Sequence, residues 1–166
     1  MAQIKRTQPL LPSVLDRLLD DHPEVREEPE SSRTQVLRQL HQSIMRDLQN
    51  LLNTRSRCLL HDEHLAGIED SLLGYGLPDF SSETINSAKT RDRLRDAMEY
   101  AIRRWEPRFK SVEVSFVDNA NPQDGSLRFR IDALVYADPA PEPIIFDSML
   151  DPSTYNFEIR GADYDR

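Results

Sequence analysis

One cysteine, Cys58, stands among the 166 residues, so no disulfide can close within the chain and a reducing compartment is expected. Cys58 reads as a small buried residue. Glycine is scarce, at five residues, and no glycine-rich turn runs into a Lys-Ser or Lys-Thr pair, which excludes a phosphate-cradling loop. No apolar run approaches the roughly eighteen residues that a membrane span needs. Lys5 and Arg6 are followed by too few apolar positions for a signal peptide, so a cytoplasmic protein without membrane insertion is predicted. Aromatic residues are only 7%. Positive charge is short as well: 21 basic residues face 29 acidic ones, and the net charge of −8 argues against nucleic acid as a partner, because phosphate contacts require a basic face.

What the chain does have is uneven charge and a sharp change of hydrophobic period. Residues 16 to 30 hold seven acids against Arg17 and Arg26, whereas residues 88 to 110 hold eight bases against four acids. Inside the basic segment lies Trp105-Glu106-Pro107-Arg108-Phe109. Before it, Leu94, Met98, Ile102 and Trp105 recur at helical spacing; after it, Val112, Val114 and Phe116 alternate. The pentapeptide is therefore a helix-to-strand joint. Proline lacks an N–H and disfavours the α region for the residue before it, so the helix is predicted to stop near Glu106. Glu106 and Arg108, flanked by Trp105 and Phe109, are partly desolvated charges that need partners. Two readings stand side by side: an ion pair internal to the chain that trims the helix end, or a contact site for another polypeptide. On the second reading, alanine at either position leaves the fold largely intact and impairs assembly.

Val14, Leu15, Leu18 and Leu19 make a short one-sided apolar stripe, too short to be stable alone, which is expected to dock on another chain. The acidic stretch from His22 to Ser32, with Pro23 and Pro29, reads as a linker. Ser32-Arg33-Thr34-Gln35 fits a capping box, and Val36, Leu37, Leu40, Ile44, Leu48, Leu51 and Leu52 then keep one helical face apolar, while Arg38, Gln42, Arg46, Gln49 and Asn53 are expected to face solvent. His61-Asp62-Glu63-His64 lacks a convincing third ligand, so no metal site and no cofactor are assigned. Gly74-Tyr75-Gly76-Leu77-Pro78-Asp79-Phe80 reads as an ordered loop anchored by Tyr75, Leu77 and Phe80, and a long helix follows from about Ser87 to Arg104.

Strands are predicted over residues 112–117 and over the alternating run Leu127, Phe129, Ile131, Ala133, Val135. Ile144 to Phe146 follow three prolines, and Thr154 to Ile159 carry Tyr155, Phe157 and Ile159 on one face. The fold class is α+β, with N-terminal helices followed by a small, mostly antiparallel β-sheet in a single domain. The predicted division is an N-terminal segment, residues 1–32, an α+β domain, 33–160, and a tail, 161–166. The last strand is expected to be an open edge able to exchange strands with a neighbour.

Several pieces occur together: Ser71-Leu72-Leu73-Gly74-Tyr75-Gly76-Leu77-Pro78-Asp79-Phe80, Glu106-Pro107-Arg108-Phe109, Leu127-Arg128-Phe129-Arg130-Ile131, and Phe146-Asp147-Ser148 with Phe157-Glu158-Ile159. In this combination the chain resembles the TssE family of bacterial type VI secretion baseplate subunits, which is similar to a wedge protein of contractile phage tails once labelled lysozyme-like. The resemblance, over roughly residues 8 to 160, implies a structural role without catalysis. Glu106, Pro107 and Arg108 would hold the core bundle of the wedge proteins TssF and TssG, with TssK in the same assembly docked to the inner-membrane complex. The sheet would be a platform on which the sheath proteins TssB and TssC assemble. The predicted partner-binding residues are thus Trp105, Glu106, Pro107 and Arg108 at the joint, Leu15 and Leu18 in the stripe, and Tyr155, Phe157 and Ile159 in the last strand.

The competing reading is a peptidoglycan-cleaving glycosidase. Such enzymes need two carboxylates at a defined separation, and pairs such as Glu69 with Asp79 or Glu106 with Asp132 can be nominated. With 29 acids such pairs are inevitable, and the low aromatic content supplies no sugar-gripping cleft. No catalytic residue is assigned. A stand-alone peptide-binding adaptor is the third class, and it requires a stable monomer with a pocket.

Overall fold

The computed structural model describes Leu18, Glu24 and residues 33–56, 71–83, 87–118, 126–137 and 140–161. Helix α1 is Arg33–Asn53 and helix α2 is Ala88–Trp105. Four strands follow: β1 Phe109–Val117, β2 Leu127–Val135, β3 Glu142–Asp151 and β4 Asn156–Gly161. They form one antiparallel meander in the order β1-β2-β3-β4. This is the α+β architecture that the change of hydrophobic period predicts. Cys58, the His61 to His64 cluster, Leu15 and the capping residue Ser32 lie outside the described residues.

Each element forms because its apolar period matches its geometry. In α1, Leu40, Ile44, Leu48, Leu51 and Leu52 fall on one face and are all buried. In α2 the same face is Leu94, Met98, Ala101 and Ile102. The strands bury alternate residues, most completely in β2, where Leu127, Phe129, Ile131, Ala133 and Val135 are all inside. Both helices lie on one side of the sheet, α1 along β4 and α2 along β1, so one core sits between helices and sheet. Burying a large side chain such as Phe146 or Ile131 contributes about 1.5–3 kcal/mol.

Two strands differ from their predicted limits. β3 is ten residues long and takes in Pro143, which lies opposite Leu134, and its inward positions Ile144, Phe146, Ser148 and Leu150 continue to the end. β4 begins at Asn156, because Tyr155 has φ 53° and belongs to the turn from β3. That left-handed conformation is held on every side. Tyr155 donates its N–H to the Asp151 carbonyl at 2.8 Å, its carbonyl accepts from Arg55 Nη2 at 2.9 Å, and its hydroxyl reaches the Ser81 carbonyl at 3.2 Å.

The loop after α1 is pinned where it crosses the helix end. Leu77 N–H donates to the Thr54 carbonyl and Ser56 N–H donates to the Leu77 carbonyl, both at 2.9 Å. Gly76, at φ 108°, makes this crossing possible, since a Cβ there would stand 2.4 Å from the Thr54 oxygen. Leu77 and Phe80 are buried, as the loop reading predicts.

Candidate functional site

Helix α2 ends at the joint as the proline rule requires. Arg103 and Arg104 occupy its last turn, favourable against the negative end of the helix. Glu106 leaves the helical region at φ −113°, ψ 82°, while its N–H still reaches the Ile102 carbonyl at 2.9 Å. The chain then enters β1 through a register shift between Phe109 and Ser111, and Tyr136 N–H donates to the Arg108 carbonyl at 2.9 Å, which extends the sheet onto the joint.

This path turns the Arg108 guanidinium onto α1. Its Nε donates to Glu106 Oε1 at 2.6 Å, Nη1 to Ser43 Oγ at 3.0 Å and Nη2 to Asp47 Oδ2 at 2.6 Å, with a further close contact from Nη2 to Glu106 Oε2. Arg108 also gives its backbone N–H to Glu106 Oε1 at 3.2 Å. The Glu106 side chain is only 5% exposed and that of Arg108 18%, whereas Asp47 is 35% exposed. Burial alone would pull the guanidinium pKa down; the hydrogen bonds and charges of Glu106 and Asp47 outweigh it and hold Arg108 above its ordinary value. Tyr75 lies close by, its phenol raised by burial and then by the charges of Asp47 and Glu106. Its ring meets Trp105 edge-on at 5.4 Å, and the Arg104 guanidinium lies 5.8 Å from the Trp105 ring centre.

The joint is therefore a network that ties α1, α2 and β1 together through groups of this chain. Of the two readings of the pair, the internal ion pair describes the geometry of Glu106 and Arg108. What faces outward around it is Pro107, the half-buried Trp105 and Arg104, the partly exposed Asp47, and the 3₁₀ turn Leu72–Gly74 that leads into Tyr75. Ser71 caps that turn, and Leu72 stands 84% exposed at its tip. An apolar side chain held out by a rigid capped turn, beside an aromatic pair and a buried charge network, has the composition of a protein contact.

Other predicted contact residues fare differently. Leu18 is 75% exposed. Phe157 and Ile159 are buried in this chain's own core, Phe157 against the Phe129 ring at 5.9 Å, so their side chains are not available to a partner. Tyr155 is a turn anchor. The outer edge of β4, expected to be open, is covered by Gln49 and Asn53 of α1: Asn53 Oδ1 accepts the Phe157 N–H and Gln49 Oε1 accepts the Ile159 N–H, both at 2.8 Å. These two residues were assigned to the solvated face of the helix; their signal was their position at the border of the apolar stripe, four residues apart. Ser43 and Asp47 share the same i, i+4 spacing and were likewise not identified.

Neither nominated carboxylate pair makes a glycosidase site. Glu106 is committed to Arg108, while Asp132 stands on the opposite, outward side of β2 in a cavity of about 540 Å³ lined by Glu99, Arg103, Glu113 and Ile145, among others, but not by Glu106. Glu69 lies outside the described residues. Among the described residues, no group of three or more His, Cys, Asp or Glu side chains could hold a metal ion, and no helix is long and apolar enough to cross a membrane.

Residues 38–140, well over half of the chain, match the family model of baseplate wedge protein gp25. The chain belongs to that family. The gp25 match runs from the middle of the first turns of α1 through the joint and the first two strands, and so includes Ser43, Asp47, Tyr75, Trp105, Glu106 and Arg108. No curated protein sequence gives a significant match. Among solved structures, a chain of "The baseplate complex from the type VI secretion system" is similar, with a TM-score of 0.47 and 19% identity over 69% of this chain and 96% of that one. Membership of the gp25 family makes this a structural baseplate protein, and nothing in the described site has the form of a lysozyme centre.

Proposed function

We propose that this gp25-family chain is the TssE-type subunit of a type VI secretion baseplate, acting by contact and without catalysis. The observation that carries the reading is the family match across the joint, together with the outward apolar turn beside it. Glu106 and Arg108 set the angle between helix and sheet. Pro107, Trp105 and the Leu72 turn meet the core bundle of TssF and TssG, with TssK in the same assembly. The sheet serves as the platform for TssB and TssC, and the N-terminal stripe with Leu15 and Leu18 is a second contact. The subunit works in the cytoplasm, at a baseplate docked to the inner-membrane complex.

Co-purification of the tagged chain with TssF and TssG tests this. Leu72→Asp and Trp105→Ala should reduce recovery of both partners at least about tenfold while the far-ultraviolet circular dichroism of the isolated chain is kept, since loss of a central apolar or aromatic anchor costs about 2 kcal/mol or more. Unchanged recovery with both variants rejects the joint as the wedge contact. Loss of turbidity from a peptidoglycan suspension treated with the purified chain, abolished by a single carboxylate substitution, would reject the non-catalytic reading.

A further inference from the structure

The two edges of the sheet are closed by different means. Along β4, two side-chain amides of α1 stand where a fifth strand would lie. Asn53 accepts the Phe157 N–H at 2.8 Å and returns its Nδ2 to the Phe157 carbonyl at 2.9 Å. Gln49 accepts the Ile159 N–H at 2.8 Å and gives its Nε2 to the same carbonyl at 2.5 Å. Asn53 Nδ2 is also tied to the Gln49 carbonyl at 2.9 Å. A primary amide carries the same donor and acceptor as a peptide unit, so the pair completes the hydrogen-bond ladder of the edge. A strand arriving here would have to displace all four edge bonds and strand two part-buried amides, each costing about 1–3 kcal/mol if left unpaired.

The β1 edge is guarded over only part of its length. Glu99 of α2 accepts the Val114 N–H at 2.9 Å, Arg103 donates to the Val112 carbonyl at 2.9 Å, and the two side chains pair at 2.8 Å with Arg103 59% exposed. Because Val112 and Val114 turn these groups away from β2, the two-residue repeat of a strand puts the Phe116 N–H and carbonyl on the same outer edge. Among the described residues no side chain bonds either group. Ser115 and Val117 beside them are exposed. On the outer face Glu113 lies directly opposite Asp132, a like-charge pair with no base bonded to either acid among the described residues.

We infer that an extended partner strand joins the sheet at β1, starting from Phe116, and not at β4, which Gln49 and Asn53 keep closed. The fitting strand alternates apolar residues, set beside Val114 and Phe116, with basic residues, set beside Glu113. The inference rests on the sheath-platform reading above and fixes which edge is used.

The test places the photo-crosslinker p-benzoylphenylalanine at Ser115 or at Glu158, both on the outer face of their strands, in the full-length chain assembled with TssB and TssC. An adduct from position 115 and none from position 158 is expected. An adduct from 158, alone or together with 115, overturns the choice of edge and leaves the platform standing; no adduct at either position overturns the platform itself. In the free chain, the Phe116 amide should exchange with deuterium at least about tenfold faster than the Ile159 amide, since the latter is covered. Equal rates, or the reverse order, would also overturn the inference.

Discussion

Arg108→Ala is the sharpest probe of the joint. It removes the three side-chain contacts that satisfy Glu106 and Asp47 and leaves the Glu106 carboxylate, 5% exposed, with the backbone N–H of residue 108 at 3.2 Å as its remaining bond from this network. An exposed ion pair is worth about 0–1 kcal/mol, but removing one partner of a buried pair costs about 3–5 kcal/mol, because the other charge stays behind without compensation. Asp47 can turn to water, which places the expected loss at the low end, about 3 kcal/mol. In a urea titration followed by circular dichroism, with a slope of about 2 kcal/mol per molar, the midpoint should fall by roughly 1.5 M. The melting temperature should drop by about 6–12 °C, at roughly 2–4 °C per kcal/mol for a chain of this length. Removing both charges at once, as Glu106→Leu with Arg108→Met, should cost less than Arg108→Ala alone, since no buried charge is then orphaned. A loss under about 1 kcal/mol for Arg108→Ala would refute the buried network and return the pair to the exposed regime, in which the fold is indifferent to it.

Three further outcomes are expected. Gly76→Ala forces a Cβ to within 2.4 Å of the Thr54 oxygen at a positive φ, and should destabilise the chain by more than about 1–2 kcal/mol in the same titration; a neutral result would mean that the loop does not cross the helix end as described. Ser148→Ala removes a buried hydroxyl that has no hydrogen-bond partner, and should be neutral or stabilise by up to about 1 kcal/mol; a loss above 1 kcal/mol would show that the hydroxyl is satisfied. His41, partly buried against Phe146, has its pKa lowered from 6.5 by desolvation, so the unfolded chain binds the proton more readily. Stability should therefore fall as the pH drops below about 6.5, and His41→Gln should flatten that slope; an unchanged slope between pH 7.5 and 5.5 would remove His41 as its source.

Much of the fold could be read from period alone. The helical run ending at Trp105 and the alternation from Val112 place the joint to within a residue or two, because Pro107 permits little else. The same logic explains the failures. β3 was recognised only as Ile144 to Phe146, since Pro143 and the inward Ser148 both break the pattern of a buried strand; the structure tolerates Pro143 near the start of the strand, and carries Ser148 as an unsatisfied hydroxyl. Tyr155 kept the alternation of β4 in sequence but was drawn into the turn, where three hydrogen-bonded neighbours hold a conformation that its residue type disfavours.

The harder loss concerns polar residues at the border of an apolar stripe. Period tells which side of a helix is apolar, but a position about 90° from the stripe can face water or bend over the core's rim, and the choice depends on what backbone lies there. On α1 the rim is occupied twice. At one point Ser43 and Asp47 meet Arg108, whose charge must be answered; at the other Gln49 and Asn53 meet the outer edge of β4, whose N–H and C=O groups must be paired. Both demands arise from segments more than sixty residues away, so no local window contains them. The consequence for function is specific. The features that looked most like open contacts in the sequence, a charged pair and a terminal strand, are answered from within the chain by one helix, and the surface left for partners is the part that α1 does not reach: the Leu72 turn with Trp105 at one end, and the Phe116 end of β1 at the other.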